Sequence, residues 1–369
     1  MKTKQAAIKL TLESIQVRAL SVPLRRPIVS KVGVYPKWPF VLIDVRTREG
    51  VVGHSYLEPY VHKAVKPIVQ VIENIAEEFT GKPIAPLDVY GGAMKTLHLN
   101  GREGMTLIAL SGLDMAIWDA LARAAGLPLV TLLGGSPGPI RAYNTNGLWL
   151  IPKDKIAAEA KSLVKEGNFK AIKMRLGRPT LKEDIEAIRI VRDAVGGGIT
   201  LMSDFNQGLT LGEALQRMHG LDDQGLYWFE EPIVYDNYEG CAQIARDMKT
   251  PIQIGENLLN SFEMQKAIDA MAAEYYMPDV QRIGGVTGWL RAAALAHANS
   301  VDLSSHLFPE ISCHLLAASP TCHWLEYMDW ASAILQQPNE VRDGHVVIPD
   351  RPGIGMEWEE GAVEKYTPK

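Results

Sequence analysis

The sequence predicts an α/β fold: a modified (β/α)8 TIM barrel, preceded by an α+β N-terminal capping domain that the C-terminal tail completes. Three observations predict it. Short apolar runs, each followed by an amphipathic helical stretch, recur at intervals of roughly 20–30 residues, the spacing of βα units in a parallel barrel. Eight of these runs occur, at residues 140–146, 171–176, 200–206, 227–232, 251–257, 274–279, 302–307 and 322–327. Most of them end on charged residues, where a barrel gathers its active site.

The elements follow in order. Residues 8–22 alternate polar and apolar side chains, and 39–47 form a β-rich run. The turn Arg48-Glu49-Gly50 then returns the chain into 51–57, so a hairpin is expected. Between the first two strands, residues 23–38 are rich in Pro, Gly, Lys and Arg and read as a loop long enough to be a lid. Residues 61–133 have helical periodicity, clearest from Met105 to Ala125. Leu133 to Pro139 contains three glycines and two prolines and marks a boundary. The expected units are a cap at 1–137, a barrel at 138–330, and a tail at 331–369 that packs back on the cap.

Composition narrows the function classes. The chain has 369 residues and a formal net charge of −5, with no strongly basic half, which argues against nucleic acid or an anionic membrane as partner. Residues 1–20 lack the apolar core of a leader, and no run approaches the ~18 apolar residues of a membrane span. The cysteines Cys241, Cys313 and Cys322 form no CxxC pair, which fits a reduced, cytoplasmic protein.

Chemistry is concentrated at the run ends: Lys173 and Arg175, Asp204 and Asn206, Glu230 or Glu231, Glu256, Asp279, His306 and Glu326. Residues i and i+2 of a strand share a face, so Lys173 and Arg175 point together, and of the adjacent glutamates only one points inward. Three carboxylates from successive strands repel strongly at close range unless a cation joins them. All-oxygen ligation favours Mg²⁺, and no Cys/His spacing competes. The competing reading pairs them with Lys173, Arg175 and Arg282. A metal clamp on a substrate carboxylate would let a positioned base remove its α-proton. His306 is the candidate base, with Asp279 on its other nitrogen. Glu326 could donate to the developing oxyanion if its pKa is raised.

These residues sit in stretches that resemble the enolase superfamily, in particular its mandelate racemase subgroup. The stretches are VVGHSYL (51–57), GLDMAIWDAL (112–121), EEP (230–232), MPD (277–279), IGGVTGW (283–289), SSHLF (304–308) and HWLE (323–326). The resemblance implies Mg²⁺ ligands Asp204, Glu230 and Glu256, a substrate contact at Asn206, a His306–Asp279 dyad, and an electrophilic acid at Glu326. Lys173 matches the first lysine of a Lys-x-Lys motif. Arg175 replaces the second lysine, the base for the opposite enantiomer, and arginine is a poor base. A one-base reaction is therefore expected, slightly favouring dehydration of an acid sugar over racemisation of a 2-hydroxy acid. A symmetric homo-oligomer acting on a small carboxylate is also implied.

On the cap, the expected substrate contacts are Lys31, Tyr35, Glu58 and Tyr60, and the two charges suggest a polar substrate end. The glycines at 284–288 read as a tight turn, because a phosphate loop would need a following Lys-Ser/Thr. His323 and the remaining histidines read as packing or surface residues. Two remoter alternatives are a Schiff-base lyase built on Lys173 and a binding protein that has lost catalysis.

Overall fold

The computed structural model describes residues 8–99 and 101–368. The first seven residues of the stretch read as lacking a leader lie outside the described residues.

The cap opens with a three-stranded antiparallel sheet in the order β1 (Leu12–Ser30), β2 (Gly33–Thr47), β3 (Val52–Leu57). The stretch 23–38 is therefore no loop. β1 and β2 continue as one long hairpin, with a register shift between Pro23 and Ile28 and pairing resumed to Ser30↔Gly33. Its Pro and Gly residues are absorbed by that irregularity and by the two-residue turn. The middle strand β2 is buried from Trp38 to Val45. Helices His62–Phe79 and Met105–Ala125 cover the sheet. The second sits very close: a Cβ on Gly53 of β3 would lie 2.0 Å from the backbone oxygen of Ala116, so only glycine admits this packing. Met105–Ala125 is also long and apolar enough to pass for a membrane span. Its burial under β3 and against helix Gly285–Ala298 explains that composition as core.

Eight parallel strands follow: β4 (Pro139–Asn144), β5 (Ala171–Arg175), β6 (Thr200–Asp204), β7 (Phe229–Glu230), β8 (Ile252–Ile254), β9 (Tyr275–Tyr276), β10 (Asp302–Leu303) and β11 (Leu325–Tyr327). They pair in sequence from β4 to β10, and β11 pairs with β4. A Leu303–Cys322 bridge and a bond from Ser305 N–H to Trp324 O at 3.0 Å close the barrel. All eight fall on the expected runs. Two crossover helices start at capping boxes, Thr180 with Glu183 and Thr210 with Glu213, which satisfy amides at the helix ends.

The tail divides. β12 (Val341–Arg342) pairs with β13 (His345–Val347), and β13 runs antiparallel to β4, so this hairpin extends the barrel sheet. The cap is met by the start of the tail, where the 3-10 turn Trp330–Ile334 contacts β1, and by its later part, through Trp358 Nε1–H to Asp44 Oδ1 at 2.7 Å and Ile354 N–H to Asp119 Oδ1 at 2.6 Å.

His314 ties these parts together. Its Nδ1 accepts from Val130 N–H at 3.2 Å and its Nε2–H donates to Ile354 O at 3.1 Å. Burial lowers its pKa to about 4, so the folded state keeps it neutral while the unfolded chain protonates it near 6.5. A depressed histidine contributes stability that is fully present above about 6.5 and lost as pH falls toward 4, up to about 3 kcal/mol. His314→Gln can make both hydrogen bonds without titrating. Its melting temperature is therefore expected to fall less than the parent's between pH 7 and 5, and equal losses would exclude His314 as the source.

Candidate active site

The strand ends converge on one cavity of about 240 Å³. Asp204 ends β6, Glu230 ends β7, and Glu256 lies two residues past β8. Ligand oxygens from the three lie within 4.8 Å of one another, and all three residues are buried. The left-handed backbone at Glu231 (φ 41°) separates the adjacent glutamates. Glu230 points inward, accepting from Trp228 Nε1–H at 3.0 Å and Gln253 Nε2–H at 3.1 Å. Glu231 turns aside to Gly255 N–H at 3.0 Å.

Lys173 is fully buried and its ammonium pairs with Glu230, with Glu326 at 2.6 Å and with Asp204 at 3.5 Å. Burial opposes its charge, but those carboxylates outweigh it and raise its pKa. A protonated amine held this way is a poor nucleophile, which argues against the Schiff-base alternative. Lys173 does not neutralise the cluster alone. Burial pushes Glu230 up, and Asp204, Glu326 and Glu256 add to the push beyond what Lys173 offsets. Burial and then Glu256 likewise raise Glu231 to about 8. An oxygen-lined, buried site with excess negative charge fits a hard divalent cation.

His306 and Asp279 form the expected dyad. His306 Nδ1 and Asp279 Oδ2 are 2.7 Å apart, and Nε2 faces Glu256 Oε2 at 3.3 Å. Asp279 caps the short helix Val280–Ile283, its Oδ1 accepting from the N–H groups of Gln281 at 2.8 Å and Arg282 at 3.3 Å. Burial lowers the imidazole pKa, yet Glu256, Glu326 and Asp279 together raise it to about 9.

Arg175 stands on the Lys173 side. Its Nη1–H donates to Thr145 Oγ1 at 2.6 Å, its guanidinium stacks 3.8 Å over Trp149, and its Nε lies 3.6 Å from Asp204. Asn206 turns back on Asp204, donating from Nδ2 at 2.9 Å, and lines the cavity. Glu326 departs from expectation. Burial favours its neutral form, but Lys173, His306 and Arg175 overcome that and lower it to about 2. It accepts from Leu307 N–H at 3.0 Å and pairs with Lys173.

The cap supplies a largely apolar wall. Tyr35 and Tyr60 line the cavity with Ile28, Val32 and Trp38, and Trp330, just past β11, joins them. Lys31 and Glu58 do not line it. Lys31 is exposed, with its stem across Gly177 and Gly208, and Glu58 is 2% exposed behind Trp38, whose Nε1–H it accepts at 2.8 Å. Those two charges therefore do not reach the cavity, whose distal lining is the aromatic residues together with Ser30, Asn257 and Arg282. His323 belongs to the barrel floor, bonded to Tyr227 Oη at 2.9 Å and kept neutral by burial. The glycine turn also serves packing: Gly285 has φ 69°, and a Cβ there would lie 2.5 Å from Asp114 Oδ2. Sequence reasoning missed Thr145 and Trp149. Trp228, one residue before β7, is a core residue that the strand pattern itself implies, and from there it reaches Glu230.

A barrel with a carboxylate cage, a buried lysine and a His–Asp dyad defines a Mg²⁺-dependent lyase or isomerase acting at the α-carbon of a carboxylate. Family models place it further. "Enolase C-terminal domain-like" matches residues 155–362, and "Mandelate racemase / muconate lactonizing enzyme, N-terminal domain" matches 13–134. The chain belongs to this mandelate racemase/muconate lactonizing enzyme family of the enolase superfamily. It is 33% identical to an L-talarate/galactarate dehydratase of Salmonella typhimurium, over 87% of this chain and 81% of that protein. A crystal structure of an enolase from Bradyrhizobium with magnesium and mandelic acid aligns with TM-score 0.94 and 41% identity, over 99% of this chain and 100% of that one. A magnesium-bound enolase from the alpha proteobacterium bal199 aligns with TM-score 0.95 and 48% identity, over 97% and 99%.

Proposed function

We propose that His306 removes the α-proton of a 2-hydroxy carboxylate from one face, and that expulsion of a β-hydroxyl follows, making the enzyme an acid-sugar dehydratase. The observation that carries this is the opposite wall. Lys173 is locked among three carboxylates and Arg175 between Thr145 and Trp149, so neither stands ready to take a second proton.

Asp204, Glu230 and Glu256 would hold Mg²⁺, which when bound supplies Lewis-acid stabilisation of the charge that develops on the substrate carboxylate. Lys173 adds a fixed positive charge at the same end. Arg175 Nε and Trp149 Nε1 are buried without a hydrogen-bond partner, and a substrate oxygen would satisfy both. Asp279 fixes the imidazole through Nδ1, leaving Nε2 toward the cavity. After proton abstraction, His306 carries the proton that a departing β-hydroxyl needs. Exposed Phe262 and Met271 are of the kind that a closed homo-oligomer covers.

A second reading, racemisation of an aryl 2-hydroxy acid, is favoured by the aromatic wall of Trp38, Tyr60 and Trp330. Proton NMR in D₂O with Mg²⁺, on galactarate, other acid sugars and each enantiomer of mandelate, separates the two. A 2-keto-3-deoxy product supports dehydration; interconverting enantiomers would sink the one-base account. Arg175→Lys is expected to gain measurable interconversion of mandelate enantiomers, by restoring a titratable amine on the second face. No gain would mean that Arg175 is not what blocks it.

A further inference from the structure

We propose that Gln281 is a positioning residue, which clamps the end of the capping sheet to the Asp279 loop and thereby sets the geometry of the His306–Asp279 dyad. The inference rests on His306 being the base.

Pairing of β2 with β3 ends at Val41↔Leu57, so the next residue, Glu58, has left the sheet ladder while buried. Its backbone N–H and C=O need other partners. Gln281, 0% exposed and on the barrel side, supplies both: its Oε1 accepts from Glu58 N–H at 3.0 Å and its Nε2–H donates to Glu58 O at 3.1 Å. One side-chain amide thus extends the cap's strand pairing into the barrel. The backbone of the same residue donates to Asp279 Oδ1 at 2.8 Å, while Asp279 Oδ2 holds His306 at 2.7 Å. Both carboxylate oxygens are therefore fixed, and so is the plane in which the imidazole is held. On the other side, the Glu58 carboxylate accepts from Trp38, whose ring lines the cavity. Buried hydrogen bonds thus connect the cavity wall to the base across the domain junction.

Gln281→Met keeps the length and removes both amide bonds; Gln281→Glu, which keeps only the acceptor, serves if the first does not fold. The substrate-free readout is the downfield N–H proton resonance of the imidazole bonded to Asp279, identified by its loss in His306→Asn. It is expected to shift or broaden in the Gln281 variant. With mandelate and galactarate as probes in D₂O, kcat for α-proton exchange is expected to fall about 10- to 100-fold, while KM and the Mg²⁺ Kd stay within about threefold. An unaltered resonance overturns the positioning role, whether or not the parent exchanges either probe. Reduced melting temperature with unchanged kcat, or a raised KM with unchanged kcat, also overturns it. Failure of the parent to exchange any acid would instead count against α-proton abstraction itself.

Discussion

His306→Asn is expected to lose α-proton exchange by about 10²–10⁴-fold with every substrate the parent accepts, because a positioned base contributes that much. Asparagine can still meet Asp279 but has no basic nitrogen to offer the substrate. The three metal ligands remain, so the variant should still bind Mg²⁺ even though His306 Nε2 lies 3.3 Å from Glu256, and a titration of the variant with Mg²⁺ separates lost chemistry from lost folding. If the variant keeps exchange, the proton leaves by the Lys173–Arg175 face and the one-base account is wrong. Partial retention with only one mandelate enantiomer would point to that same face, because the two bases address opposite sides of the α-carbon.

Removing Mg²⁺ with EDTA is expected to abolish exchange and to lower the melting temperature, and added Mg²⁺ should restore both. The stability part follows from the carboxylates: Asp204, Glu230 and Glu326 crowd around the Lys173 ammonium with Glu256 beside them, and burial together with these neighbours pushes Glu230 up. A cation that binds only the folded chain relieves this repulsion, by about 2.7 kcal/mol when free Mg²⁺ is a hundredfold above its Kd. Glu230→Gln removes one charge and one strong ligand, so its metal-free form should melt no lower than the parent's while its response to Mg²⁺ shrinks. A melting temperature indifferent to EDTA in the parent would mean that Lys173 and Arg175 already balance the site.

The barrel was legible because its signal repeats. Each apolar run from 140–146 to 322–327 became a strand, and each run end landed at the same mouth. Charges at strand ends were readable for the same reason: Lys173, Asp204 and His306 are held by strand geometry that the sequence period encodes. The cap was harder. Residues 23–38 carry loop composition, yet pairing across β1 and β2 holds them extended despite the prolines. Lys31 and Glu58 misled because a charged side chain says nothing about which way the backbone turns it; Glu58 faces Trp38 and Lys31 faces outward. The protonation of Glu326 was out of reach too, since it depends on a 2.6 Å contact to Lys173 that no spacing rule supplies. Gln281 carried no signal, since its partners are backbone atoms 223 residues away.

The aromatic floor has a kinetic consequence. Tyr143, Trp228 and Trp324 fill the barrel beneath the carboxylates, each at most 5% exposed, and Tyr227, Tyr275 and His323 seal the bottom. The base is itself only 6% exposed beneath the hairpin wall. A proton on His306 therefore exchanges with solvent through the cavity mouth that the hairpin walls, rather than through the filled barrel floor. Deuterium incorporation then depends on how freely that mouth admits water as well as on proton abstraction. Loosening the hairpin should raise exchange relative to product formation without touching the chemical step.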